Sequence, residues 1–248
     1  MAPYVRRWYA DPKIAEAVFA IRADAAPAAP WPNDAYARMA GHFVGFANGE
    51  ERLPLDAPVS RRRASCAPPP NGAAYRVLRR NHDGTRAVQW GPGLCAYNVF
   101  PPYGHYEDHT PTLVRVIEAY LTEEEPHTVG GAEQRYVNEL LLSRGERPSD
   151  FFVFYPPLGD DLQRNHARIE LAVDTATFPG GWVSLTLTRG DETGDLVRYV
   201  LEVASRSNRA LAADVDAIVQ WHNRAHNALS TSFEQAITDE FRKRLRQV

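Results

Sequence analysis

The spacing of apolar side chains predicts a chain built mainly of strands. Alternating apolar and polar positions are typical of a half-buried strand. Apolar residues at helical spacing instead indicate an amphipathic helix. The pattern predicts an α+β fold with antiparallel sheets and a long C-terminal helix packed on the sheet. The predicted strands are 14–22, 75–80, 85–90, 94–100, 132–142, 168–173, 182–188 and 196–203, and the predicted helices are 33–48, 111–124 and 208–245, the last with a break near 230–232.

Turn residues predict that consecutive strands pair as hairpins. Asp83 and Gly84 supply the positive φ that a tight turn needs, and a polar Gly-Asp-Glu-Thr-Gly-Asp loop joins the last two strands. Each half of the chain, 12–125 and 128–248, then has the order of one strand, three strands and one helix. No residue-level repeat accompanies this order. We therefore predict a single α+β domain over 1–248, with a repeated element order as an open alternative.

Proline positions add two local predictions. Thr110 is the predicted N-cap of the second helix, with Pro111 at its first position. The segment 54–73 is rich in proline, contains the arginine triplet 61–63, and lacks the apolar periodicity of a helix or strand. We expect this segment to be a mobile loop whose arginines are solvated, with a contact to an acidic partner as the alternative.

Composition and charge narrow the function classes. The chain of 248 residues has a formal net charge of -3, so it lacks the basic excess that drives nucleic-acid binding. Cys66 and Cys95 are too few for a disulfide framework and fit free thiols in a reducing compartment. No segment approaches the roughly 20 apolar residues that span a bilayer. We therefore expect a cytoplasmic protein that binds neither nucleic acid nor membrane.

Histidines are the first candidates for metal chemistry. His222 and His226 stand four residues apart on the last predicted helix, the spacing that places two imidazoles on one face. Asn223 occupies the position where a zinc-dependent hydrolase has its catalytic Glu, so core or boundary histidines explain the pair better. A second candidate cluster, which helix-capping residues also explain, consists of His105, Glu107, Asp108 and His109.

The sequence contains no recognisable catalytic nucleophile. It has neither a Gly-x-Ser-x-Gly elbow nor a Gly-x-x-x-x-Gly-Lys phosphate loop. Cys95 lies within a predicted strand, where burial is the more common fate of a thiol, and Cys66 has no evident base beside it. The residues therefore favour a protein that is not an enzyme and has no cofactor.

One segment combines aromatic side chains with proline and glycine. Aromatic side chains on a strand that prolines leave incompletely paired could anchor an extended peptide by strand addition. The alternative is that they fill the core between sheet and helix. The candidate anchors are Trp90, Tyr97, Phe100, Tyr103 and Tyr106.

A second candidate for partner binding is a polar run in an otherwise apolar strand. Arg135, Tyr136 and Asn138 precede a run of leucines. They either face a binding cleft or brace the sheet, and the sequence leaves both open.

Three short motifs resemble a sporadically distributed, largely uncharacterised bacterial protein family. They are an opening Glu-Ala-Val-Phe-x-Ile-Arg strand (16–22), an Arg-Tyr-x-Asn strand (135–138) and a Phe-Glu-x-x-Ile-Thr-Asp helix (233–239). Their order and spacing cover nearly the whole chain. The resemblance implies no catalytic residues, and some members look like peptide-binding proteins that assist the maturation of ribosomally made peptide natural products. This chain departs from the family pattern at Ala20, because that position of the opening strand is commonly charged in the family.

These observations favour a non-catalytic module that binds a peptide or a protein. The expected partner is a precursor peptide or a biosynthetic enzyme in ribosomal peptide natural-product biosynthesis, for which the chain acts as a scaffold or accessory protein. A homodimer is left open. The alternatives are a metal-dependent enzyme that uses either histidine cluster and a defence or immunity component that acts through protein contacts.

Overall fold

The computed structural model describes residues 9–10, 12–23, 31–55, 73–125, 128–156, 158–159 and 169–246. The arginine triplet, Cys66 and most of the predicted loop lie outside these residues. The strands are β1 (Ile14–Arg22), β2 (Asn48–Pro54), β3 (Tyr75–Arg80), β4 (Arg86–Gly91), β5 (Leu94–Val99), β6 (Thr128–Val129), β7 (Gly131–Ser143), β8 (Glu170–Phe178), β9 (Gly181–Thr193), β10 (Leu196–Ser207) and β11 (Leu211–Ala212). The helices are α1 (Asn33–His42), α2 (Tyr106–Glu124), α3 (Val215–Ala236) and α4 (Asp239–Leu245).

Among the described residues, nine strands hydrogen-bond in one sheet in the order β2-β3-β4-β5-β1-β7-β10-β9-β8. The pairs β3–β4, β4–β5, β5–β1 and β8–β9 are antiparallel, which confirms the predicted α+β class with an antiparallel sheet. Strand β5 neighbours β1, and β10 neighbours β7. The repeat of element order stays a prediction.

The described residues fall into two compact units. The first, here called the aromatic unit, comprises described residues within 16–134 and 206–224. The second, called the hairpin unit, comprises those within 1–15, 135–205 and 225–248.

Ring contacts between helices and sheet define the core of the aromatic unit. The Phe43 ring, just after α1, lies 5.5 Å from Trp90 on β4, and Phe19 on β1 stacks on Tyr97 of β5 with ring centroids 5.9 Å apart. All four side chains are almost completely buried. Large aromatic side chains bury the most apolar area per residue, so this cluster supplies much of the driving force that holds the unit together.

A buried chain of polar groups crosses the opposite face of the same sheet. The Glu16 carboxylate accepts a hydrogen bond from Asn98 Nδ2 at 2.7 Å, and the Gln89 amide NH2 donates to Asn98 Oδ1. The direction of the chain follows from the amide nitrogens of Asn98 and Gln89, which can only donate. These bonds tie β1, β5 and β4 together, so Glu16 of the opening motif has a structural role.

The hairpin unit has a clear inner and outer side. Buried and half-exposed residues alternate along β7, β9 and β10, as expected for strands with one face against the core. The buried side faces α3, since the Tyr136 hydroxyl lies 2.9 Å from His226 Nδ1. Phe152 and Phe241 add an edge-to-face contact at 5.5 Å. The long helix therefore packs on the sheet, as predicted.

The first helix is shorter than its sequence pattern predicts. It ends at His42, because the Phe46 N–H donates to the Phe43 carbonyl at 2.8 Å and closes a turn. The chain then forms β2, where Gly49 adopts φ +71° at a register shift in the pairing with β3. The sequence prediction missed this strand.

The last helix also begins later than predicted and breaks at another place. Residues 211–212 form β11, so α3 starts at Val215 instead of near 208. The expected break near Ser230 does not occur, since the helix is continuous from Val215 to Ala236. The helix breaks at Thr238, whose hydroxyl accepts from the Phe241 N–H at the start of α4.

Helix α2 begins at Tyr106, so the prediction of Thr110 as its N-cap was wrong. His105 is the N-cap, and its backbone N–H donates to Asp108 Oδ2 at 3.1 Å in a capping box. Thr110 Oγ1 donates to the Tyr106 carbonyl inside the helix, and Pro111 lies beyond the first turn.

We expect Asp108→Ala to lower the free energy of unfolding by about 1 kcal/mol, because it removes the capping carboxylate from the positive end of the helix. Thr110→Ala is the matched control and should change it by less than about 0.5 kcal/mol. Chemical denaturation of both variants measures the difference. A larger loss for Thr110→Ala would place the start of the helix at the later position.

Candidate functional site

The predicted aromatic anchors are core side chains. They lie on or just after β4 and β5, and each is at most 7% exposed. Strand β5 lies between β4 and β1 in the sheet, so the prolines that follow it leave no open edge there. An exposed anchor surface at this segment is therefore excluded for Trp90, Tyr97, Phe100, Tyr103 and Tyr106.

The polar run on β7 divides between the two sides of the strand. Asn138 is buried, and its Nδ2 donates to the Leu201 carbonyl of β10 at 3.2 Å. Tyr136 is buried against α3, through its hydroxyl contact with His226. Arg135 lies on the outer side with a side chain that is 29% exposed. Asn138 and Tyr136 thus brace the hairpin unit, whereas Arg135 is accessible.

The cluster around the start of α2 does not converge on one point. Asp108 caps the helix, and His109 is turned into the core, where its ring contacts the Tyr103 carbonyl through Nε2 and the Tyr97 hydroxyl through Nδ1 at 3.4 Å. The carbonyl can only accept, so Nε2 carries the proton. Burial lowers the pKa of His109 and so favours the neutral imidazole. His105 and Glu107 are exposed.

His222 is a buried core histidine. Its Nδ1 lies 3.2 Å from Gln134 Oε1, and its ring meets the ring edges of Phe19 and Trp221. Burial lowers the pKa of His222 to about 3. His226 lies one turn further along α3 and contacts Tyr136 instead, so the two imidazoles serve different packing contacts.

The described residues hold no group of three or more His, Cys, Asp or Glu side chains that could bind a metal ion. The Cys95 thiol is buried, and burial raises its pKa, which disfavours the reactive thiolate. Among the same residues, no helix is both long and apolar enough to cross a membrane.

The accessible polar surface of the hairpin unit is the outer side of its strands, here called the open face. Because buried residues on β7, β9 and β10 alternate with half-exposed ones, the half-exposed residues share one side. This surface mixes charged, hydroxyl, aliphatic and indole groups. The open face consists of Arg135, Val137, Glu139, Trp182, Ser184, Thr186, Arg198, Val200 and Glu202.

Two cross-strand ion pairs organise the charges of the open face. Arg135 Nη1 lies 3.2 Å from Glu202 Oε2, and Arg198 Nη1 lies 3.2 Å from Glu139 Oε1. Arg198 also reaches Asp191 at 3.4 Å. Partly exposed pairs of this kind contribute only about 0–1 kcal/mol to stability. They hold the charged heads in place on the surface and are available for contact with a partner.

Among the described residues, β8 is the last strand of the sheet beside the open face. Most of its central residues are exposed, and Val173 is 43% exposed although it is aliphatic. The other terminal strand, β2, differs in chemistry, because it carries Glu50, Glu51 and Arg52 together and ends on Pro54. Charges and proline are common protections of a sheet edge. The centre of β8 is therefore the less protected of the two edges.

The sequence predicts part of this site. The alternation at 182–188 and 196–203 correctly indicates two strands with one side outward, and Arg135 was a candidate residue. Trp182, Glu202 and β8 were not recognised as a site. The order of strands in a sheet follows from long-range pairing, which local periodicity does not contain.

Comparison of this chain with protein-family models, curated proteins and solved structures finds no match.

Proposed function

We propose that this chain is a non-catalytic module that binds a peptide or a partner protein through the open face of its hairpin unit. The observation that carries this proposal is the half-exposed surface around Arg135, bordered by the exposed strand β8. Exposed, solvated sheet faces are common, but this one combines Arg and Trp side chains, which are enriched in protein interfaces.

The ion pairs support a recognition role for the charged groups. Arg135 and Glu202 are each 29% exposed, so a partner can contact both without unfolding the strand. An arginine already held by a carboxylate loses less side-chain entropy when a partner binds. Charged groups at the rim of an interface then contribute specificity and association rate more than affinity.

The resemblance to a bacterial family with peptide-binding members supports the choice of partner class. We include in the proposal a cytoplasmic scaffold or accessory role in ribosomal peptide natural-product biosynthesis. Its partner would be a precursor peptide or a biosynthetic enzyme.

The proposal is tested by exchanging the charges of one ion pair. The double variant Arg135→Glu with Glu202→Arg keeps a cross-strand pair within the chain, so its thermal unfolding should match that of the unmodified protein. Both tagged proteins are purified from the native host, and mass spectrometry identifies the peptides and proteins that accompany them. We expect a partner to co-purify with the unmodified protein. The amount of this partner that co-purifies with the double variant should be at least about tenfold lower.

Recovery of the same partner at the same level with both proteins would contradict the proposal that the partner binds the open face. A control charge reversal at an exposed position of the other unit, Glu118→Lys, alters charge without touching the hairpin unit. It should leave the recovered partner unchanged.

A further inference from the structure

We infer that the partner binds as an added strand along the first half of β8, and that it is an extended peptide alternating apolar and basic residues. This inference rests on the proposed function and specifies both the mode of binding and the class of peptide. Strand addition supplies affinity through main-chain hydrogen bonds, while the side chains on either side of the edge supply specificity.

The hydrogen-bond pattern of the β8–β9 ladder shows which backbone groups face outward. The Arg189 N–H donates to the Ile169 carbonyl at 3.1 Å, which makes 169 and 189 a hydrogen-bonded pair. Hydrogen-bonded and non-hydrogen-bonded pairs alternate in an antiparallel ladder. Ala172, opposite Thr186, therefore belongs to a non-hydrogen-bonded pair, and its N–H and C=O point away from β9.

These outward groups are accessible. Ala172 is exposed, and within the described residues no strand lies beyond β8. A register shift between Asp174 and Ala176 interrupts the regular ladder. Such a bulge twists the strand and ends regular pairing, so an added strand would pair with residues before the bulge.

The two sides of this edge differ in chemistry. Val173 lies opposite Leu185 on the helix side of the sheet and leaves an aliphatic surface exposed. Asp174 lies opposite Ser184 on the side of the open face and is exposed. Side chains of an added strand alternate between these two sides. Apolar residues would therefore meet Val173, and basic residues would meet Asp174.

Charge argues against a second copy of this chain as the occupant. Strand β8 contains Glu170 and Asp174 and no lysine or arginine. Pairing two copies of β8 would bring like charges together, which is destabilising between neighbouring strands. A basic peptide has the complementary charge.

A proline substitution tests the main-chain contact. Ala172→Pro removes one outward N–H and leaves the hydrogen bonds between β8 and β9 intact, since proline is tolerated on edge strands at such positions. Ala172→Val is the matched control, because it retains the N–H and favours the strand. The probe is a short synthetic peptide that alternates valine and lysine, measured by calorimetry against a peptide that alternates valine and glutamate.

We expect the valine–lysine peptide to bind the unmodified protein at least about tenfold more tightly than the valine–glutamate peptide. Ala172→Pro should weaken the binding of the valine–lysine peptide at least about tenfold, whereas Ala172→Val should leave its affinity unchanged. Asp174→Lys should reverse the preference between the two peptides. Circular dichroism and thermal unfolding of each variant confirm that the fold is retained.

Equal binding of both peptides, or no effect of Ala172→Pro, would overturn the inference. If a partner co-purifies with the unmodified protein and with Ala172→Pro alike, and is lost only in the Arg135–Glu202 exchange, strand addition fails while the proposed function stands. If no partner co-purifies with any of them, the proposed function itself fails.

Discussion

Tyr97→Ala is expected to lower the free energy of unfolding by about 3–5 kcal/mol, because it removes a large aromatic side chain from a packed core. Tyr97 has no exposed surface, its ring stacks on Phe19 at 5.9 Å, and its hydroxyl lies 3.4 Å from His109 Nδ1. Truncation removes this apolar contact, leaves a cavity in the aromatic unit and leaves His109 without one polar neighbour. Chemical denaturation monitored by circular dichroism measures the loss.

Val44→Ala is the control for this prediction. Val44 is 78% exposed, so its truncation should change the free energy of unfolding by less than about 0.5 kcal/mol. A loss below about 1 kcal/mol for Tyr97→Ala would contradict its placement in a packed core. The predicted instability also means that a binding defect in Tyr97→Ala would report on folding and would not identify a contact residue.

Acid should destabilise the protein through His222. Burial lowers the pKa of this imidazole to about 3, whereas in the unfolded chain it has its ordinary value of 6.5. Between these values the unfolded state binds the proton and the folded state does not. The free energy of unfolding should therefore fall as the pH drops below about 6.5, by about 1.4 kcal/mol per pH unit from this group, until the pH approaches about 3.

His222→Gln removes this contribution and isolates it from those of the carboxylates. We expect the variant to have a shallower decline of stability between about pH 6 and pH 4 than the unmodified protein. His82→Gln, at an exposed position, should leave the decline unchanged. Parallel slopes for the unmodified protein and His222→Gln would mean that His222 is not held neutral in the folded state.

The contacts around His222 explain the direction of this effect. Within the described residues its ring meets the neutral side chains of Phe19, Trp221 and Gln134. No carboxylate among these described neighbours compensates a positive charge, so protonation in place would bury an unpaired cation. The imidazole is therefore a packing group of the aromatic unit.

Local periodicity was sufficient to predict most strands. The bounds of β1 and β3 match the predicted segments 14–22 and 75–80, and most residues of both strands are buried. Strand β2 was missed, since its Asn-Gly-Glu-Glu-Arg-Leu-Pro sequence has little apolar alternation. Its place depends on pairing with β3, a long-range contact that overrides weak local preference.

The aromatic segment could not be assigned from local sequence alone. The same residues fit an exposed anchor surface and a core, and the difference lies in whether a neighbouring strand pairs on each side. Strand β5 has β4 on one side and β1 on the other. Because β1 comes from a distant part of the chain, no local pattern around Tyr97 or Tyr103 could reveal that the edge is filled.

The sequence pattern also could not predict the accessible edge at β8. A strand near 168–173 was predicted, but its position at the end of the sheet follows from the order of all the other strands. The exposure of Ala172 and Val173 is thus a property of the topology. The candidate binding surface therefore lies in the hairpin unit and not at the buried aromatic residues.

Native mass spectrometry of the intact protein, purified gently from its own host, tests the binding function most directly. We predict a complex in which one peptide or protein accompanies the chain in a fixed ratio, and we predict that the Arg135–Glu202 charge exchange removes it. Detection of the chain alone under conditions that preserve weak complexes would contradict a binding module.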